Sequence, residues 1–372
     1  MPLPLRTVAA VWTRIGATGF GGPPAHIALL RRECVERRDW IDATEFEDAV
    51  AAVNLLPGPA STQLSIWTAW RLGGAPAALL GGLGFIVPGL VVVLALSALV
   101  LGSPPSVVLG AAAGAGAAVA PVAVCTAYQL VGPSRARASS PIRWWAYLLI
   151  GIAAGALVGA WVALVLVACG LVEVVVQRRP SGLGSFVLWG PALKAWGPTG
   201  SLAWTALKVG LLSYGGGFVI VPLMRSDAVT HHHWMTGQQF LDAVALGQVT
   251  PGPVVHTVAV IGYAAGGLVG GLLAATVAFT PSFVLVLAGG RRFDGLRGNA
   301  SVQAFLTGAG PSVIGAIAGS AVPLAGSLTE GWQVAVLAGA ALWLLRFGVV
   351  SAILLAGAVG AVVVSFGASV PH

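Results

Sequence analysis

Charge is what this chain most lacks. Asp, Glu, Lys and Arg make up 8% of its 372 residues, against about 25% in soluble domains. That shortage excludes a large soluble catalytic domain. Cysteine is also rare: Cys34, Cys125 and Cys169 lie far apart, with no CxxC or Cys/His spacing, so neither a thiol redox centre nor a zinc or iron-sulfur site is expected. What is abundant is apolar: 57% of the residues, with a mean hydropathy of +0.91. The composition is that of an integral membrane protein. At about 20 residues per crossing, the length predicts about ten to twelve spans. The formal charge of +7 comes from short basic clusters between apolar stretches, which fits loops facing anionic headgroups and argues against nucleic acid. The opening MPLPLRTVAAVWTRIG reads as mature chain, because it lacks a clear signal-peptide cleavage site.

The 52 glycines are read as packing faces. Lipid tails give apolar side chains no reason to prefer one another, so helices associate where small residues let backbones approach. GAAAGAGAAVAP at 110–121 and GGLVGGLLAA at 266–275 are the clearest cases. Trp recurs near span ends, as at Trp12, Trp40, Trp144 and Trp234, where indole suits the headgroup layer. Two apolar segments are interrupted, by FGGPPAHI within 10–30 and NLLPGPASTQ within 45–72. Broken backbone survives in a membrane only where protein or a wet cavity satisfies it, so these breaks mark candidate binding sites.

An offset of 194 residues superposes the two halves without a gap over some 45 positions. Gly16, Gly21 and Gly22 meet Gly210, Gly215 and Gly216. Trp40, Phe46 and Asp48 meet Trp234, Phe240 and Asp242, and Pro57-Gly58-Pro59 meets Pro251-Gly252-Pro253. Asn54 stands opposite Gln248, and Phe85 opposite Phe279. One module is therefore present twice, as 1–180 and 201–372 around an inter-module segment at 181–200. In the first copy Arg31, Arg32, Arg37 and Arg38 precede Trp40 and no arginine follows the Phe85 span. In the second, Arg225 stands alone before Trp234, and Arg291, Arg292 and Arg297 follow the Phe279 span. Arginine-rich short loops favour the cytoplasm, so the switch predicts inverted repeats, a recurring design of secondary transporters with broken helices.

The paired Pro-Gly-Pro triplets are the most specific candidate site. Their prolines donate no amide proton, their glycines let the chain turn, and a helix starting after each offers free N–H groups to an oxyanion. Asn54, Ser61, Thr62 and Gln63, with Gln248, Thr250 and His256, flank them. The glycine pairs Gly21-Gly22 and Gly215-Gly216 form a second matched break, and neither is a phosphate-binding loop. Arg14 and Lys208 hold matched positions, as anion-attracting charges or as residues snorkelling to headgroups. Asp48 and Asp242 either carry a coupling proton or pair and cap. The run His231-His232-His233 reads as a wet loop, and Glu33 and Glu36 as neutralisers of neighbouring arginines.

RIGATGFGGPPAHIALLRRECVERRDWI and NLLPGPASTQLSIW in the first copy, with KVGLLSYGGGFVIVPLM, WMTGQQFLDAVALGQVTPGPVV and AFTPSFVLVLAG in the second, resemble the chromate ion transporter family in its long two-domain form. The resemblance covers most of the chain. It implies export of chromate across the cell inner membrane without covalent chemistry or cofactor, with sulfate as analogue and possible exchange partner. Carried over by motif, the substrate-binding residues would be Arg14, Gly21, Gly22, Asn54, Pro57, Gly58, Pro59 and Gln63, with Lys208, Gly215, Gly216, Gln248, Pro251, Gly252 and Pro253. Alternatives are an exchanger of sulfate or another oxyanion, a proton-coupled transporter with Asp48 and Asp242, and a passive anion channel.

Overall fold

The computed structural model describes residues 3–371 except 55, 103, 158–161, 178–196, 214–219 and 290–298. The inter-module segment, Gly215, Gly216 and the Arg291–Arg297 loop therefore lie largely or wholly outside the described residues. The described chain is all-α: α1 Leu5–Thr18, α2 Pro23–Arg31, α3 Ala43–Val53, α4 Ala60–Leu101, α5 Ser106–Ala117, α6 Val119–Ala136, α7 Pro141–Leu157 and α8 Val162–Gln177. The second half holds α9 Gly197–Leu212, α10 Val221–Arg225, α11 Gly237–Val249, α12 Thr257–Gly289, α13 Ala300–Ala325, α14 Gly331–Leu344 and α15 Val349–Ser365. Among the described residues four apolar stretches are long enough to cross a bilayer, at Ala60–Leu101, Ser106–Ala136, Val254–Gly289 and Ala300–Ala325. Four shorter apolar helices accompany them: α7, α8, α14 and α15. The protein is a polytopic membrane protein.

The matched sequences adopt matched backbones. Each copy has a π-helical turn after its second helix, at Arg32–Glu36 and Ser226–His231. Each then has its one non-glycine residue with positive φ among the described residues, Asp39 at 50° and His233 at 51°, and 39 plus 194 is 233. Both long helices break at a glycine pair, Gly73-Gly74 (φ −155° and 71°) and Gly266-Gly267 (φ −159° and 61°). These pairs stand 193 apart, not 194, so one residue has dropped out and Pro88 matches Pro281. The ungapped pairing of Phe85 with Phe279 is corrected by one position, to Ala278.

At these pairs the chain doubles back. A Cβ on Gly271 would lie 3.0 Å from the Ala259 carbonyl, although residues twelve apart in a continuous helix are about 18 Å apart. In the first copy Gly81 packs on Ala69 in the same way. So α4 is two antiparallel limbs, 60–72 and 75–101, and α12 likewise 257–265 and 268–289. The first limb of α4 also runs back along α3, because Arg71 at its end is ion-paired with Glu45 at the start of α3. Pro57-Gly58-Pro59 is therefore the tip of a helical hairpin. In the second copy Gly247 packs on Thr257 across the corresponding hairpin.

The two copies interlock. The second limbs of α4 and α12 cross antiparallel, with Gly82 under the Phe283 ring and Gly271 under Leu94. Away from the crossing, Gly151 and Gly155 of α7 lie against Ser312 and Ala316 of α13, and Gly110 and Gly114 of α5 against Gly360 and Ala356 of α15. These small-residue seams are the close approach that membrane helices use in place of hydrophobic burial. Glu173 of α8, almost fully enclosed, is held by Arg143 at 2.9 and 3.1 Å, Ser139 at 2.6 Å and Tyr147 at 2.9 Å. A buried carboxylate is tolerated where donors satisfy it this fully.

Candidate functional site

Gly58 and Gly252 adopt φ of 116° and 88°, a region open to glycine and costly to residues with a Cβ. Their flanking prolines cap the hairpin tips without leaving amide donors unpaired. Each tip rests on the other copy. A Cβ on Gly58 would lie 3.1 Å from the Gly210 carbonyl and 3.5 Å from Ser282 Oγ, while the Pro251 carbonyl sits directly on Gly89. The Gly252 amide donates to the Gly19 carbonyl at 2.8 Å, which joins the second Pro-Gly-Pro tip to the Gly-Gly break between α1 and α2. Gly21 and Gly22 occupy that break with φ of 101° and 76°.

His26 ties these pieces together. Its Nε2 meets the Gly19 carbonyl at 3.0 Å, its Nδ1 meets Ser61 Oγ at 3.3 Å, and its ring lies edge-on to Phe85. Because a carbonyl only accepts, Nε2 carries the proton. His256, three residues past Pro253, packs edge-on to Phe279 with centroids 5.5 Å apart. Its ring nitrogens make no hydrogen bond of good geometry, with the backbone carbonyls of Ile86 and Pro251 beside them. Both imidazoles have no exposed surface.

Around the tips the buried polar atoms without a protein partner include Thr62 Oγ1, Gln63 Oε1, Gln248 Nε2, Ser213 Oγ and Ser282 Oγ. An unmet buried polar atom costs about 1–3 kcal/mol, so such a cluster points to a polar solute. Other tip atoms are committed. Gln63 Nε2 donates to the Pro57 carbonyl at 2.6 Å, and Asn54 Nδ2 to the Val50 carbonyl at 2.8 Å. Pro57 is exposed, whereas Gly58, Pro59, Pro251, Gly252 and Pro253 are buried.

The matched cations stand elsewhere. Arg14 is half exposed and ion-paired with Glu33 at 2.6 Å, and Lys208 is ion-paired with Asp227. Since 33 plus 194 is 227, this pair is itself repeated, and the sequence reading of Arg14 and Lys208 as open charges missed half of it. Burial alone would raise the Glu33 pKa, but Arg37, Arg14 and Arg38 outweigh it and hold the carboxyl below its ordinary value. Asp48 lies on the exposed side of α3. Asp242 is buried, accepts from Gln238 Nε2 at 2.9 Å, and through Gln238 connects to Gln333. His26 was also passed over, for an imidazole in a Pro-rich break has no signature until the fold shows its neighbours.

The chain matches the sequence model of a family described as "Chromate transporter" over residues 6–174 and 200–364. It is 31% identical over 335 residues to the chromate transport protein of Cupriavidus metallidurans, covering 86% of this chain and 82% of that protein. With the chromate transport protein of Pseudomonas aeruginosa it shares 32% identity over 393 residues, covering 96% and 92%. An uncharacterized transporter of Methanocaldococcus jannaschii is 25% identical over 319 residues, covering 77% and 76%. No solved structure matches.

Proposed function

The chain belongs to the chromate transporter family, and from that membership we propose that it is a secondary transporter exporting chromate, or a similar divalent oxyanion, across the inner membrane. The observation that carries the reading is the Gly19–Gly252 hydrogen bond, which joins the second copy's hairpin tip to the first copy's glycine break and is ringed by unpartnered polar atoms. Inverted modules at 1–180 and 201–372, with ten to twelve crossings in all, complete the proposal. The antiparallel crossing of the second limbs of α4 and α12 and the switched arginine loops support inversion. Gly21, Gly22, Pro57, Gly58 and Pro59 with Pro251, Gly252 and Pro253 shape the pocket, and Gly215 and Gly216 are assigned to it by sequence match alone. Asn54, Gln63 and Gln248 line it, while Arg14 and Lys208 act from their ion pairs as an outer ring. An inside-negative potential assists outward movement of a dianion by about 4.6 kcal/mol per 100 mV for two charges.

Sulfate makes similar tetrahedral contacts and belongs to the same proposal, as competitor or exchange partner. Proton coupling is the second reading, and the burial of Asp242 favours it over Asp48 as the carrier. The test is labelled chromate uptake into liposomes with a positive-inside potential, with and without sulfate. Saturable uptake reduced by sulfate is expected. Flux that neither saturates nor responds to trans anion would make the protein a passive channel, and no flux from folded protein would remove chromate as substrate.

A further inference from the structure

A dianion drawn into a low-dielectric site needs a counter-charge, and most cations on the converging helices are committed elsewhere. Arg14 faces Glu33, Lys208 faces Asp227, Arg71 faces Glu45, and Arg31 faces Glu36 and Glu47. Arg225, the last residue of α10, donates to Ser327 at 3.0 Å in the turn after α13 and keeps its Nε unpartnered. Arg6 sits in the first turn of α1, at the end that Leu3 ties to Leu72, opposite the tip. What remains at the tips is two imidazoles.

We propose that His256 supplies the positive charge to a bound oxyanion by taking up a proton as the anion arrives, with His26 fixing the opposite wall of the same site. The proposal rests on the reading of the hairpin tips as the oxyanion site. His26 is spent on structure, since Nε2 is held by the Gly19 carbonyl and Nδ1 by Ser61. His256 is not. It stands beside Gly252 and Gly89, on the other side of the Gly19–Gly252 contact. Its ring nitrogens make no hydrogen bond of good geometry, only loose approaches to the Ile86 and Pro251 carbonyls, and an imidazolium offers two N–H donors where the neutral ring offers one. An oxyanion supplies the acceptors that this second donor requires. The balance is simple: a proton from solution adds to the free ring nitrogen, no covalent bond in the anion changes, and anion and proton are held together.

The packed elements supply one other buried titratable group, Asp242. The whole of α12 lacks Asp, Glu, Lys and Arg, and the only such residue in α4 is Arg71, at the far end of its first limb. On α11 the one such group is Asp242, ten residues before Gly252 and bonded to Gln238; Arg14 on α1, Arg31 on α2 and Lys208 on α9 are the pairs already named. The imidazoles are also unduplicated, because Thr62 holds the position matched to His256 and Ile220 the one matched to His26. One proton per anion follows.

Sulfate is the probe, since chromate itself takes a proton near neutrality. Calorimetric titration of the purified full-length protein with sulfate, in two buffers of different ionisation enthalpy, counts protons taken up per anion bound. Imidazole titrates near about pH 6.5 in water, so the range is about pH 5.5 to about pH 8. Wild type should take up about one proton, with affinity falling up to about tenfold per pH unit above the free-state titration. His256→Thr, the residue at the matched first-copy position, should abolish the uptake and flatten the pH profile, whereas loss of the uptake in Asp242→Asn with His256 intact would move the proton to that carboxyl and overturn the inference. Sulfate binding without proton uptake overturns the inference alone, as does equal uptake by a folded His256→Thr protein. A pH-independent affinity lost in Arg225→Gln would transfer the charge to Arg225 and likewise overturn it. No sulfate heat at any pH from folded protein would instead fail the reading of the tips as the site. A wild-type count of zero overturns the inference even if His256→Thr does not fold.

Discussion

At Gly89 a methyl group would meet the Pro251 carbonyl backbone and come within 2.7 Å of His256 Cε1. No side chain at that contact can rotate away from a carbonyl fixed between two prolines, so Gly89→Ala should push the second tip off its seat and cut chromate flux at least tenfold, a loss of about 1.4 kcal/mol or more in transition-state terms. Gly339, whose Cβ position is open, is the control, and Gly339→Ala should transport as wild type. A second prediction concerns Glu33. Its carboxyl is held below its ordinary pKa by Arg37, Arg14 and Arg38 against the opposing effect of burial, so it binds its proton less readily folded than unfolded. The stability it contributes is present above the unfolded carboxylate pKa and lost as pH falls through the folded one. Thermal melts should show Glu33→Gln less stable than wild type near neutrality, with the difference closing under acid conditions.

The elements that matter most are hairpins, and their chemistry explains both their turns and their depth. Pro-Gly-Pro ends one helix and starts the next because its prolines disfavour helix before themselves and its glycine takes positive φ. The glycine pairs do the same at the opposite ends of the first limbs of α4 and α12. If α3 and the first limb of α4 form one hairpin, Thr44→Cys and Ala75→Cys should be labelled from the same face by a membrane-impermeant thiol reagent. Labelling from opposite faces would mean that the segment crosses. The seam of α7 on α13 gives a stability prediction: Gly151→Val, which drives a branched side chain into the Ser312 backbone, should cost about 1–3 kcal/mol or more through overpacking. Reduced yield of monodisperse protein and a lower melting temperature would register it.

For the whole molecule, the proposed inversion would place the two π-turns on opposite membrane faces. Glu36 and Thr230 are matched across the 194-residue offset and both exposed. Glu36→Cys and Thr230→Cys should therefore label from opposite faces, and labelling of both from one face would sink the inverted arrangement. The copies are nonetheless unequal. Asp48 is exposed where Asp242 is buried, and Pro57 is exposed where Pro251 is buried. The two tips thus differ in exposure at their first proline, a difference that an alternating-access cycle would exchange.

Composition alone determined the membrane class, because a chain so poor in charge has no other solvent in which to bury its apolar surface. The offset of the halves determined the duplication and the two breaks, since proline and glycine act locally and leave a mark at each position. The candidate pocket was legible to that extent: the triplets were marked, and they do form tips. What composition and spacing left to the tertiary structure was partnership. Whether the triplets cross or turn back rests on Arg71 reaching Glu45, and whether Arg14 is an open charge rests on Glu33, nineteen residues away. His26 and His256 belong to different copies and non-matching positions, so no repeat could pair them. Hydrogen bonding and charge act through space at a few ångströms, and only the folded chain decides which groups stand that close.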